Sequence, residues 1–166
     1  MKEELFYLNL EKLATFDLPD KVFDICELKD GSLIACCLDK SLKIYNMENL
    51  KNKDLQPEKE IKLDYTPIKV ACLQDGRIVV AFGQNPNFGI KIYQFNENKD
   101  ITLQKEFIEH TRLISCLYIL EDGKIATTSL DGTAVFYNPF DFNIIIKIEE
   151  SKKRLFTSMV QLEDRS

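Results

Sequence analysis

The sequence predicts an all-β chain assembled from repeated four-stranded antiparallel units. The first observation is a recurring Asp-Gly pair, at Asp30-Gly31, Asp75-Gly76 and Asp122-Gly123, with intervals of 45 and 47 residues. Asp-Gly accepts positive φ, which suits a tight turn between antiparallel strands. The second observation is that short segments rich in Ile, Val, Leu, Phe, Tyr and Cys flank every pair, a composition typical of strands. A unit of roughly 40–45 residues with four strands is the pattern of a β-propeller blade.

The four strands of each unit follow in a fixed order. The first precedes the Asp-Gly pair, the second follows it, the third ends in a tyrosine, and a looser fourth leads into the next unit. Residues 33–38 form an unbroken apolar run, which predicts a strand buried on both faces, as between stacked blades. The predicted first strands are 22–28, 68–73 and 113–120, the second 32–38, 77–83 and 124–130, the third 42–45, 90–93 and 134–137, and the fourth 60–65, 102–108 and 143–148.

These strands predict one domain, a partial propeller. Complete blades are expected at residues 21–65, 67–108 and 112–148, with stubs of blades at 4–18 and 153–162. Residues 47–58 are expected to form an irregular, charged connection. Since closure of the ring is what removes exposed sheet edges, we expect the chain to be a fragment of a longer protein. The alternative is an arc completed by a second copy or another subunit.

Composition narrows the class of protein. The 166 residues are 45% hydrophobic and 30% charged, with a net charge of −5, which argues against nucleic acid as the main partner. No apolar run approaches the ~20 residues of a membrane helix, and the acidic first residues do not resemble a signal peptide. We therefore expect a cytoplasmic protein with no membrane partner. The five cysteines lack metal-site spacing and are expected to be reduced and buried.

Residues 114–138 resemble a WD40 repeat from its first strand to its third. The Trp-Asp pair of that family appears here as Tyr137-Asn138, and the chain has no Trp, so it is a divergent member. The resemblance implies a hydrogen-bonded brace formed by His110, Ser129, Asp131 and Tyr137. In the first unit Asp20 stands near the histidine position, and in the second residues 84–89 replace the aspartate turn. The brace is therefore expected to be complete in one unit only.

The residues that could carry chemistry have simpler structural explanations. His110, the only histidine, could be a general base, but the resemblance assigns it to the brace. The Asp residues after the second strands are explained as turn formers. No phosphate-binding loop and no Gly-x-Ser-x-Gly motif is present. The sequence therefore predicts no catalytic residue, no metal and no cofactor.

The predicted function is that of a non-catalytic scaffold that binds other proteins through loops at the top rim of the propeller. Residues 83–89 form the longest top-rim turn and carry an aromatic side chain predicted to be exposed. One alternative is a small-molecule binder or enzyme with a site in the central channel, where Asp24 and Lys69 lie on first strands. Another is a fragment without independent function. The candidate rim residues are Asp20, Lys21, Lys40, Gln84, Asn87, Phe88 and Arg112.

Overall fold

The computed structural model of the chain describes residues 21–51, 56–150 and 155–162. These residues form three four-stranded antiparallel sheets, in each of which the strands lie side by side in chain order. The prediction of an all-β chain built from four-stranded blades is therefore confirmed. The predicted stub at residues 4–18 and the rim residue Asp20 lie outside the described residues.

Each sheet is one blade, with its first strand innermost and its fourth at the outer edge. The first blade contains β1 (Val22–Glu27), β2 (Leu33–Cys37), β3 (Ser41–Tyr45) and β4 (Lys59–Lys62). The second contains β5 (Pro67–Cys72), β6 (Ile78–Gln84), β7 (Asn87–Phe95) and β8 (Ile101–His110). The third contains β9 (Ile114–Ile119), β10 (Ile125–Ser129), β11 (Thr133–Asn138) and β12 (Asn143–Glu149). A five-residue helix, α1 (Met47–Lys51), follows β3, where the sequence predicted irregular chain.

The Asp-Gly pairs form the turns between first and second strands, as the sequence predicted. Gly31, Gly76 and Gly123 have φ values of 80°, 90° and 82°, in the left-handed region where a side chain is unfavourable. In the first of these turns the Asp30 carboxylate accepts the backbone N–H of Ser32 at 3.0 Å. The turn thus needs both residues: glycine for the backbone angle and aspartate for the hydrogen bond.

The cores lie between neighbouring blades. In β6 the side chains alternate, so that Val80 packs toward the first blade and Val79 toward the third, and both are completely buried. This two-sided burial is the reason for the nearly unbroken apolar sequences of β2 and β6. Ile34 of β2 packs in the first core and Val135 of β11 in the second. Full burial of such side chains contributes about 1.5–3 kcal/mol each.

Two further predictions are corrected in part. Residues 155–162 are not a strand, although the Phe156 carbonyl accepts a hydrogen bond from the Ser115 hydroxyl at 2.6 Å and so lies beside β9. The Gln161 side chain also accepts the backbone N–H of Glu121 at 3.0 Å. Regular strand pairing needs a continuous ladder of backbone bonds, which these two side-chain contacts do not supply. All five cysteines are free, but only Cys36 and Cys37 are fully buried.

Candidate functional site

The polar centre of the third blade is built around His110. This residue is the last of β8 and its side chain is buried between the second and third blades. Its Nε2 lies 2.7 Å from the Thr127 hydroxyl, and its Nδ1 lies 2.8 Å from the Thr133 hydroxyl and 3.5 Å from the Asp131 carboxylate. The Tyr137 hydroxyl lies 3.4 Å from that of Thr127. Strands β10 and β11 and the turn between them thus supply the polar partners of the imidazole.

The directions of these hydrogen bonds follow from what each group can donate. The Thr133 hydroxyl donates its one hydrogen to the Asp131 carboxylate, which only accepts, at 2.6 Å. His110 Nδ1 must therefore donate to Thr133, and a neutral imidazole then accepts the Thr127 hydrogen at Nε2. The Thr127 oxygen remains free to accept from Tyr137. A single chain of hydrogen bonds runs from Tyr137 through Thr127, His110 and Thr133 to Asp131.

The electrostatics agree with this arrangement. Burial lowers the pKa of His110, and the opposing attraction of Asp131 does not cancel that effect. Burial also opposes ionisation of Asp131, but hydrogen bonds from Thr133 and from the backbone N–H of Thr111 outweigh it and hold the pKa of Asp131 below its usual value. The imidazole is therefore neutral and fixed in one tautomer. It has no solvent-facing nitrogen with which to act as a general base.

One member of the predicted brace, Ser129, contacts Asp131 but not His110. The Ser129 hydroxyl donates to the Arg112 carbonyl at 3.0 Å and accepts the backbone N–H of Asp131 at 3.1 Å. It does not meet His110, whose partner on β10 is Thr127. Residues 127 and 129 lie on the same face of the strand, two positions apart, and Ser129 is one step nearer the rim. Spacing along the sequence does not distinguish two hydroxyls on one face.

The other two blades use different polar groups at the corresponding depth. In the first blade, Lys43 of β3 is buried and its ammonium group lies 3.0 Å from the Asp39 carboxylate, which Lys62 also meets at 3.2 Å. A hydrogen bond from Ser41, together with these two lysines, keeps the pKa of Asp39 well below its usual range. Asp39 is thus both a turn former and an ion-pair partner.

In the second blade the corresponding contact joins two tyrosines. The hydroxyls of Tyr65 and Tyr93 lie 2.7 Å apart, and the Lys91 ammonium group stands 4.2 Å from the centre of the Tyr65 ring. Each described blade thus satisfies its buried polar groups with a different set of residues. Within the described residues, no buried side-chain nitrogen or oxygen lacks a hydrogen-bond partner.

The predicted rim residues that the structure describes lie at one edge of the sheets. We define the top rim as the connections that precede β1, β5 and β9 together with the turns that follow β2, β6 and β10. Five of the predicted residues are exposed there: Lys21, Lys40, Gln84, Asn87 and Arg112. Several are held in place, since the Leu38 N–H donates to the Lys21 carbonyl at 2.9 Å and Arg112 donates to the Leu130 carbonyl at 3.2 Å.

The longest predicted rim turn is a regular hairpin. Strands β6 and β7 remain paired up to Gln84 and Asn87, and Asn85-Pro86, joined by a cis peptide bond, forms the two-residue turn. Phe88 is half-buried, because its ring lies against Gly83, where an added Cβ would approach it to 3.0 Å. The prediction of an exposed aromatic is therefore wrong for Phe88: the paired strands turn its ring onto the sheet.

Two exposed leucines at the top rim were missed by the sequence reasoning. Leu38 is 44% exposed and Leu113 is 42% exposed, and they flank connections that also carry Lys21 and Arg112. Both leucines lie at the ends of predicted strands, at residues 32–38 and 113–120, so the sequence pattern does not distinguish them from strand residues. Apolar side chains with polar neighbours on a rigid edge are a feature of binding surfaces.

Two ionisable residues of the innermost strands, Asp24 of β1 and Lys69 of β5, pair with each other. The Asp24 carboxylate accepts the backbone N–H of Val70 at 3.0 Å and lies 3.8 Å from the Lys69 ammonium group. These contacts join the first and second blades. Asp24 is thus occupied in holding two blades together, which weakens the case for it as a ligand-binding group.

The fold and the site define a class of protein, the β-propellers made of four-stranded blades with polar contacts between them. The WD domain, G-beta repeat family matches residues 10–46 and 101–138, so the chain carries WD40 repeats in these two regions. The solved structure of U3-55K, a WD40 propeller, superposes with a TM-score of 0.64 at 14% identity, over 83% of this chain and 42% of that one. The chain therefore spans less than half the length of U3-55K.

No curated protein matches the sequence. No helix in the described ranges is long and apolar enough to cross a membrane.

Proposed function

We propose that the chain is a non-catalytic scaffold that binds other proteins through its top rim. The observation that carries this proposal is the pair of exposed leucines, Leu38 and Leu113, set among exposed charged side chains on hydrogen-bonded connections. A rigid rim loses little conformational entropy on binding, and apolar anchors surrounded by polar groups are the usual source of affinity. WD40 repeats are a fold on which protein-binding surfaces are common, and this supports the proposal by analogy.

The buried histidine also supports a non-catalytic role. A general base needs a free lone pair within reach of a substrate. Both ring nitrogens of His110 are engaged by threonine hydroxyls, and the side chain is buried. His110 therefore stabilises the contact between blades, and the rim is left as the surface for recognition.

The test is proximity labelling with the intact full-length protein, comparing wild type with Leu113→Glu and Arg112→Glu. We expect both changes to remove the same set of protein partners, because a buried charge in an interface core costs binding energy. Leu103→Glu is the matched control, since Leu103 is 47% exposed but lies on β8, away from the top rim. The proposal fails if wild type labels no partner, or if Leu103→Glu removes the same partners.

A further inference from the structure

The outer strands of the three blades differ in how they are protected. Three of the four residues of β4 are charged, and β8 carries Lys105, Glu106 and Glu109. Every residue of β12 is exposed, and its sequence is Asn-Ile-Ile-Ile-Lys-Ile-Glu. Its four isoleucines are between 41% and 51% exposed: Ile144, Ile145, Ile146 and Ile148.

The one lysine of β12, Lys147, does not extend outward from the free edge of the strand. The Lys147 ammonium group donates to the Glu109 carbonyl at 2.9 Å and lies 3.9 Å from the Glu109 carboxylate, so it points back toward the second blade. Natural sheets keep their edges from pairing by placing charges on them. In this chain β4 follows that rule most fully, whereas β12 has its two charged residues, Lys147 and Glu149, among its last three positions and none from Asn143 to Ile146.

The backbone of β12 is also open to pairing. Among the described strands it is hydrogen-bonded only to β11, through a ladder with one irregularity at Ile145, between Ile144 and Ile146. On each side of that irregularity, alternate residues direct their N–H and C=O groups away from the sheet. A long apolar edge with unpaired backbone groups is a template for an added strand. The geometry therefore provides a strand-addition site on the third blade.

We propose that the partner on this site is β12 of a second copy of the chain, added in antiparallel orientation. The sequence of β12 is nearly symmetric about Ile146. An antiparallel pair centred there places Ile146 opposite its counterpart, Ile144 opposite Ile148, and Ile145 opposite Lys147. Apolar residues face apolar residues or the stem of a lysine, and no like charges meet across the pair.

The geometry also sets the size and strength of the assembly. Each chain has one β12, and a two-fold pair uses it up, so that association stops at a dimer. A single strand pair buries much less than the ~800 Å² per partner of a standard interface. The dimer is therefore weak and forms in a concentration-dependent way. It does not depend on the proposed binding role of the top rim.

The test is sedimentation velocity of the full chain over a dilution series. Wild type is expected to shift from monomer to dimer as concentration rises. Ile146→Lys places two ammonium groups at the symmetric centre and should weaken the dimer by at least about tenfold. Ile108→Lys is the matched control, because Ile108 is 48% exposed on the outer strand of the second blade, and it should dimerise like wild type.

A charge-pair rescue separates the proposal from a folding defect. Mixing Ile146→Lys with Ile146→Glu should restore a mixed dimer, because only the proposed register brings the two 146 side chains together. Far-UV circular dichroism of each variant confirms that it is folded. The proposal is overturned by a wild-type monomer at every concentration, by growth beyond a dimer, by equal weakening in Ile108→Lys, or by folded variants that fail to pair.

Discussion

The hydrogen-bond chain through His110 is tested most sharply by Thr127→Val. Valine has nearly the shape of threonine, so the packing between β10 and the second blade is kept while the hydroxyl is removed. His110 Nε2 then faces a methyl group in place of a donor at 2.7 Å. The Tyr137 hydroxyl loses its partner as well, although at 3.4 Å that contact is long and contributes little.

The size of the effect follows from leaving one buried acceptor unpaired. Such a group costs about 1–3 kcal/mol, and water cannot replace the lost donor because the imidazole is fully enclosed. We therefore expect Thr127→Val to lower the free energy of unfolding by about 2 kcal/mol. For a chain of this length that corresponds to a decrease in Tm of roughly 4–8 °C.

The measurement is urea unfolding followed by circular dichroism, with Ser129→Ala as the comparison. The Ser129 hydroxyl donates to the Arg112 carbonyl at the rim. Removing that hydroxyl should lower the free energy of unfolding by about 1 kcal/mol, less than Thr127→Val does. If Thr127→Val lowers the free energy of unfolding by less than ~0.5 kcal/mol, the range of ordinary surface substitutions, the proposed series of hydrogen bonds through His110 is refuted. A larger effect for Ser129→Ala would show that Ser129 is the partner that matters.

Three further predictions concern single positions. Burial lowers the pKa of His110 in the folded state, so the unfolded chain binds a proton at higher pH than the folded chain, and the free energy of unfolding should fall as pH decreases below about 6.5. Urea unfolding midpoints measured at several pH values should show this slope in wild type. An equal slope in His110→Gln would contradict the prediction. Lys40 has a φ of 63°, a conformation that favours glycine, and the third blade has Gly132 at the matching position. Lys40→Gly should therefore raise the free energy of unfolding by about 0.5–1 kcal/mol. An unchanged Tm would exclude backbone strain at Lys40. In Gly89→Ala the added Cβ would collide with the Phe107 carbonyl oxygen, which should destabilise the chain by roughly 3 kcal/mol. A urea midpoint equal to that of wild type would mean that β7 and β8 can move apart at this position.

The fold was largely predictable from the sequence because its signals are local. Asp-Gly pairs fix the first turn of each blade, and the positive φ of Gly31, Gly76 and Gly123 agrees with them. The unbroken apolar runs predicted strands buried on both faces, which β6 shows most clearly. Turn chemistry and two-sided burial leave marks within a few residues of one another, so that one sequence is enough to find them.

The details of the site were less predictable because they depend on contacts between blades. The choice between Thr127 and Ser129 as the partner of His110 rests on how far the imidazole reaches along the strand. The exposure of Phe88 depended on whether residues 83–89 formed a loop or continued the hairpin. Both questions concern which of two neighbouring positions meets another element. Period-two alternation gives the face of a strand but not the depth of a contact.

The three polar centres show what the family resemblance could not supply. A search by resemblance finds the centre around His110, because it has the expected residue types, and finds nothing at Lys43 or Tyr65. Yet the Asp39–Lys43 ion pair and the Tyr65–Tyr93 hydrogen bond satisfy the buried groups of their own blades. In each of these contacts a buried side chain meets a polar partner, although the residue types differ from blade to blade. The identity of these residues therefore affects stability, while both proposed binding surfaces, the top rim and β12, consist of exposed side chains.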